Sequence, residues 1–276
     1  MNTPQPSPSL VDEYLRAYDP GSVATAVGLF ARLARYHRLE VRGLENIPTG
    51  SALLVGNHNG GFSPVDGLFL VPYYERHGFE APVHVLAHDI LFRPPGMGRW
   101  LARFGIIPAS QGNGGVVLER GHKLLVFPGG DLESMRSFKD RRRLTFGGRD
   151  GFARLALRAN VPIVPVVSAG AHETFVVLSQ GKRLASRLGL DALLRIKTLP
   201  VALSLPWGIV AGPTMALPYI PLPARITVQI GTPIDPAPLL ALPEAQAAAA
   251  LAATVQVTMQ RLHDELYAER RLPVLG

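Results

Sequence analysis

The 276-residue sequence contains no cysteine. That excludes thiol nucleophiles, disulfide staples and cysteine-ligated metal, and it accords with a reducing, cytoplasmic setting. Lysine is scarce as well: Lys123, Lys139, Lys182 and Lys197 are the whole set, so arginine carries nearly all the positive charge. Aromatic residues make up 7% of the chain and no basic stripe is interleaved with them, which argues against nucleic acid as a partner. No apolar stretch runs unbroken for the roughly 20 residues a membrane-spanning helix needs. The longest charge-free run, Leu199 to Ala224, is broken by Pro200, Pro206, Pro213, Pro218, Pro221 and Pro223. It is expected to fold as an apolar loop that dips into an interface or lines an acyl-chain groove, rather than as a span. Met1 to Leu10 is polar and proline-rich, with no basic start followed by an apolar run, so no secretory signal is expected.

What remains is greasy and basic. Hydrophobic residues are 47%, charged ones 18%, and the formal net charge is +7. Together these traits suggest a cytoplasmic protein peripherally associated with a membrane surface. Residues 1–21 are expected to be disordered or extended. Ser22 to His37 then has helical periodicity, with Ser22 as cap and Val23, Val27, Phe30, Ala31 and Ala34 opposite Arg32 and Arg35. Short apolar runs recur at 52–55, 83–87, 124–127 and 163–167, separated by helix-length segments. This spacing predicts one α/β domain over residues 22–276, with a mainly parallel central sheet flanked by helices. The alternating run Ile226 to Ile230 predicts a half-exposed or edge strand. Pro243 to Arg271 predicts a long closing helix.

Two strand ends carry chemistry. The run Ala52 to Val55 leads into Gly56-Asn57-His58-Asn59-Gly60-Gly61, with Asp66 eight residues beyond His58. Open α/β sheets place ligands at the carboxyl ends of their strands, and a histidine oriented by an acid can take a proton from a hydroxyl near neutral pH. The second run, Leu124 to Phe127, leads into Pro128-Gly129-Gly130-Asp131, with Glu133 and Arg136 following. Adjacent glycines there allow backbone N–H groups to face an anion or a developing oxyanion. Of the arginines that follow, Arg136 and Arg149 lie nearest the turns and are the candidates for holding a phosphate. His84, His88 with Asp89, and His172 with Glu173 show no metal-ligand spacing, and no metal is expected.

The order of these blocks resembles a known family. Asn57-His58 with Asp66, Phe104-Gly105-Ile106-Ile107-Pro108, Phe127-Pro128-Gly129-Gly130 and Val161-Pro162-Ile163-Val164-Pro165-Val166 are similar to the four motif blocks of the glycerolipid acyltransferases, including the PlsC-like lysophosphatidate enzymes. The resemblance covers roughly residues 40 to 235. It implies transfer of a fatty acyl group from a thioester, acyl-CoA or acyl-carrier protein, to a glycerolipid hydroxyl, with no bound cofactor. It also implies a His58–Asp66 dyad with His58 as general base. Around the dyad, Asn57, Gly60, Gly61, Phe127, Pro128, Gly129, Gly130, Asp131, Glu133, Arg136 and Arg149 are expected to contact substrate. The chain departs from the family pattern at three places: seven residues separate His58 from Asp66, more than in the family. Ala109 or Ser110 stands where the second block has arginine. Gly129-Gly130-Asp131 replaces Glu-Gly-Thr, and Pro128-Gly129-Gly130 with Glu133 looks instead like the diacylglycerol acyltransferase and related branch. With arginine abundant at the turn, a lysophospholipid acceptor is expected, a neutral alcohol such as diacylglycerol being the alternative. Two other readings remain: a lipid-binding protein without activity on the same fold, and a hydrolase using Ser63 or Ser168, for which the Gly-x-Ser-x-Gly elbow is lacking.

Overall fold

A computed structural model describes residues 8–59, 61, 63–181 and 200–276. The apolar runs become strands of a seven-stranded sheet, in the order β1 (Glu40–Arg42), β10 (Thr227–Ile230), β6 (Ile163–Ala169), β2 (Ala52–Gly56), β5 (Lys123–Val126), β3 (Val83–Ala87) and β4 (Ile106–Pro108). Neighbours are parallel throughout except β10 against β6. Strands of this kind are covered on both faces, so they are apolar at successive positions rather than alternating. Leu53, Val55, Leu124 and Val126 pack with residues of α5 (Gln111–Glu119), α7 (Gly151–Ala159) and α8 (Glu244–Ala268). Leu54, Leu125, Val164 and Val166 face the other way, toward α2 (Pro20–Tyr36) and α3 (Leu70–His77).

The structure corrects three expectations. Residues 8–21 are not extended: α1 (Pro8–Arg16) is a helix that buries Val11, and its Asp12 pairs with Arg120 at 2.8 Å. The next helix is capped by Asp19 rather than Ser22. Its carboxylate accepts from Gly21 N at 3.0 Å and from Ser22 Oγ at 2.6 Å, and Pro20 fills the first turn, where no N–H is needed. The stripe of α2 is packed, with Val23, Val27 and Ala34 buried and Arg32 and Arg35 exposed. Finally, β10 is neither an edge strand nor half-exposed, because the short polar β1, which has no apolar run to announce it, pairs along its outer side.

The charge-free run folds into strands. β7 (Val176–Ser179), β8 (Val201–Ser204) and β9 (Gly208–Ala211) form a separate antiparallel sheet. Ala202 and Val210, opposite each other, are buried with Phe175, Val177 and Met215. The other face leaves Leu203, Leu205 and Ile209 exposed, Ile209 at 72%.

Candidate active site

The site grows from the carboxyl end of β2, between β5 and β6 at the middle of the large sheet. Asn57 acts there as an extra peptide group: its Nδ2 donates to Ser168 O at 3.0 Å and its Oδ1 accepts from Ser168 N at 2.7 Å. This anchors the chain to β6 just as it leaves the sheet, and aims the next residue outward. His58 keeps a third of its side chain exposed. Its ring stacks on Phe127 at 5.1 Å between centroids. Phe127 fits there because residue 56 is glycine; a Cβ on Gly56 would lie 2.6 Å from the Phe127 ring.

The long spacing to Asp66 is closed by a single 3-10 turn, Pro64–Gly67, which folds the aspartate back so that its Oδ2 meets His58 Nδ1. Asn59 fixes the carboxylate, donating Nδ2 to Oδ1 at 2.6 Å and its backbone N–H to Oδ2 at 3.2 Å. A carboxylate only accepts, so Nδ1 carries the proton and Nε2 bears the lone pair. Burial pulls the His58 pKa down, but the Asp66 charge, aided by Glu133, outweighs it against the opposition of Arg136, and the net direction is upward.

Glu133 and Arg136 were expected to touch substrate; their place in the fold is different. Both are buried. Glu133 Oε2 accepts the His58 backbone N–H at 2.8 Å and its Oε1 accepts from Thr145 N at 3.3 Å. Arg136 donates to the His58 carbonyl at 3.0 Å, to Glu133 O at 3.2 Å and to Arg141 O at 3.1 Å. The pair, 3.4 Å apart, thus grips both backbone polar groups of His58. Burial pushes the Glu133 carboxyl above the ordinary glutamate range against the pull of Arg136 and the two amide donors. The Arg136 guanidinium, expected to hold a phosphate, is buried behind the His58 turn and engaged with carbonyls. His172 extends the scaffold inward, its Nε2 on Arg136 O at 2.9 Å, and burial drives its pKa down to about 3.

Arg149 is also committed locally. It donates to Pro128 O and Gly129 O, both at 3.0 Å, and pairs with Asp131 at 2.9 Å, so it pins the glycine turn while its side chain stays 45% exposed. The turn itself is dense. A Cβ at Gly129 would lie 2.6 Å from Thr145 O and closer still to Glu133, and Gly130 has φ +48°. The Gly130 amide, expected to face an anion, donates instead to Phe127 O at 3.1 Å. Ser110, standing where the second block has arginine, caps α5 by accepting from Asn113 N at 3.0 Å. Gly60 lies outside the described residues. Gly61, with φ +83°, leaves room for Tyr219 and Phe175, and the Tyr219 hydroxyl accepts from Ser63 N at 2.8 Å.

Among the described residues no histidine ring bonds a serine hydroxyl, and the buried Ser168 Oγ has no hydrogen-bond partner. A histidine with a fixed tautomer at the carboxyl end of the central strand, bonded to no serine hydroxyl among the described residues, is placed to take a proton from an incoming hydroxyl. Residues 38–169 match the family model described as Acyltransferase. The chain carries an acyltransferase-family domain. The matched segment holds His58, Asp66, Glu133, Arg136 and Arg149 and ends before Tyr219. Similar proteins include one from Mycobacterium tuberculosis described only as uncharacterized, 34% identical over 228 residues, which cover 81% of this chain and 60% of that one. Another is the mouse "DGAT1/2-independent enzyme synthesizing storage lipids", 33% identical over 152 residues, 55% of this chain and 44% of that protein. The chain thus spans three-fifths or less of these relatives' length. The fold is that of the 1-acyl-sn-glycerophosphate acyltransferase PlsC from Thermotoga maritima, with a TM-score of 0.57 and 17% identity over 91% of this chain and 81% of that chain.

Within the acyltransferase domain, sequence reasoning missed Gly56, Asn59 and Thr145, and beyond it the Tyr219 contact. Asn59 carried a usable signal, an amide side chain adjacent to the candidate base. Thr145 acts through its backbone and Tyr219 lies 156 positions from Ser63, so neither had one.

Proposed function

We propose that this protein transfers a fatty acyl group from a thioester, acyl-CoA or acyl-carrier protein, to the hydroxyl of a glycerolipid. The observation that carries the proposal is the His58–Asp66 pair, oriented so that Nε2 is the free basic nitrogen of the ring. Nε2 takes the acceptor proton as its oxygen attacks the thioester carbonyl; a C–O bond forms, the C–S bond breaks, and the proton passes from the imidazolium to the departing thiolate. Asp66 holds the tautomer and stabilises the transient cation. No acyl-enzyme is formed.

The acceptor is a neutral alcohol such as diacylglycerol. An expected preference for a lysophospholipid rested on Arg136 or Arg149, and both are engaged with backbone carbonyls beside the site. The Pro-Gly-Gly form of the third block and the storage-lipid description of the mouse relative support the same choice. Incubating the purified protein with labelled acyl-CoA and a panel of diacylglycerol and lysophospholipids, then resolving the products, tests both statements. Labelled triacylglycerol is expected; product from lysophospholipid alone overturns the acceptor, and no product overturns the activity. His58→Ala is expected to lose on the order of 10²- to 10⁴-fold in rate while remaining folded.

Since its substrates partition into membranes, the protein works peripherally at a bilayer. No described helix is long and apolar enough to cross one. The exposed face of Leu203, Leu205 and Ile209 supports docking through the small sheet, with Trp207 beside it donating to Pro218 O at 2.6 Å. Leu205→Asp with Ile209→Asp is expected to release the protein from vesicles, and undiminished binding by the folded double variant would move the contact elsewhere.

A further inference from the structure

The segment that leaves β3 carries a second exposed apolar surface, distinct from the small sheet. Ile90 and Leu91 lie in a 3-10 turn and Met97 and Trp100 in α4 (Met97–Ala102). They are 56%, 49%, 36% and 54% exposed. The segment is anchored from beneath: Leu101 and Ala102 are buried, Phe92 packs edge-on against Tyr14 at 6.1 Å, and Arg103 pairs with Asp19 at 2.7 Å. Solvent exposure here therefore belongs to side chains on an anchored segment.

Charge identifies what covers that face. Arg93 and Arg99 are exposed, and neither has a carboxylate partner among the described residues. Asp89 is the single acid between His88 and Arg103, and it forms no ion pair among the described residues. Two unpaired guanidiniums beside a tryptophan and three aliphatic side chains match the headgroup layer of an anionic bilayer: arginine binds phosphate bidentately, and tryptophan settles at the polar–apolar boundary. A second copy of the chain fits less well, since a two-fold contact would bring like charges together. Topology adds position. β3 and β2 both run parallel to the intervening β5, so the segment leaves β3 at the same end of the sheet as His58, two strand spacings or about 10 Å across, before α4 carries it back to the start of β4.

We propose that Ile90, Leu91, Met97 and Trp100, with Arg93 and Arg99, form a contact surface for anionic lipid headgroups on the β3–β4 connection. The proposal rests on the acyltransferase reading for its orientation, while its chemistry stands on the exposed residues themselves. Trp207→Phe leaves Trp100 as the only tryptophan, since the chain has two. Its emission is expected to shift to the blue on adding vesicles of phosphatidylcholine with phosphatidylglycerol, and far less with phosphatidylcholine alone. Arg93→Gln with Arg99→Gln is expected to weaken binding to the anionic vesicles about 30-fold, the worth of two charges at such a surface. Absence of the shift on vesicles that bind the protein, undiminished binding by the folded double variant, or no binding at all overturns the proposal. So does a dimer in light scattering that Leu91→Asp dissolves. Acyl transfer to a short-chain, dispersed acceptor, measured on the same preparations, separates the two readings: it persists if only the docking surface is wrong, and is missing from the wild type if the activity is wrong.

Discussion

Asp66→Asn is the sharpest test of the site, because one atom changes while volume and turn geometry stay. In the wild type the carboxylate accepts from His58 Nδ1 and from Asn59, and its charge raises the His58 pKa against the downward pull of burial. An asparagine amide turned toward the ring donates rather than accepts. His58 then carries its proton on Nε2, and the nitrogen that should accept from the substrate is blocked. The expected loss in kcat is on the order of 10²- to 10⁴-fold, the worth of general-base catalysis. The pH profile separates this from simple misfolding. Activity needs neutral His58, so the wild-type rate rises through a pKa above the ordinary histidine value; without the Asp66 charge that limb moves to lower pH. Stability has its own signature. A raised folded pKa stabilises the protein fully below the ordinary histidine pKa, and that contribution is lost as pH rises through the raised value. The stability gap between wild type and Asp66→Asn is therefore expected to be wider at about pH 5 than at about pH 9 in urea titrations. A variant with wild-type kcat and an unmoved acid limb would refute the dyad.

Two further substitutions probe how His58 is held. Glu133→Ala leaves Arg136 buried without its counter-charge and frees the His58 N–H, so a loss of about 3–5 kcal/mol in urea-derived stability is expected; a loss within roughly 0.5 kcal/mol, typical of a surface position, would mean that the pair does not hold the turn. Gly56→Ala drives a methyl into the Phe127 ring, which costs about 1–3 kcal/mol and is expected to lower kcat more than it raises KM, whereas an unchanged kcat would show that Phe127 stacking is dispensable.

Several features were legible in the sequence because they are local. Strands buried on both faces must be apolar at successive positions, so β2, β3, β5 and β6 stood out as short runs, with glycine or proline following β2, β5 and β6. His58 and Asp66 share one turn, and a short connection leaves few ways to fold. Roles that depend on what lies opposite were decided by the tertiary structure. Glu133 and Arg136 stand in a stretch of charge that suits a solvated surface equally well; burial beneath the His58 turn is what makes them its clamp. Polarity and spacing record what a residue can do. Which of those capacities is used depends on the groups that folding brings within a few ångströms, and for His58 those come from β5's turn, from β6 and from a 3-10 turn of its own loop. The run ending at Ala224 makes the same point: its composition announced an apolar element broken by prolines, but only strand pairing decided that Ala202 and Val210 face inward while Leu203 and Ile209 face out, because side chains on a strand alternate once the register is set.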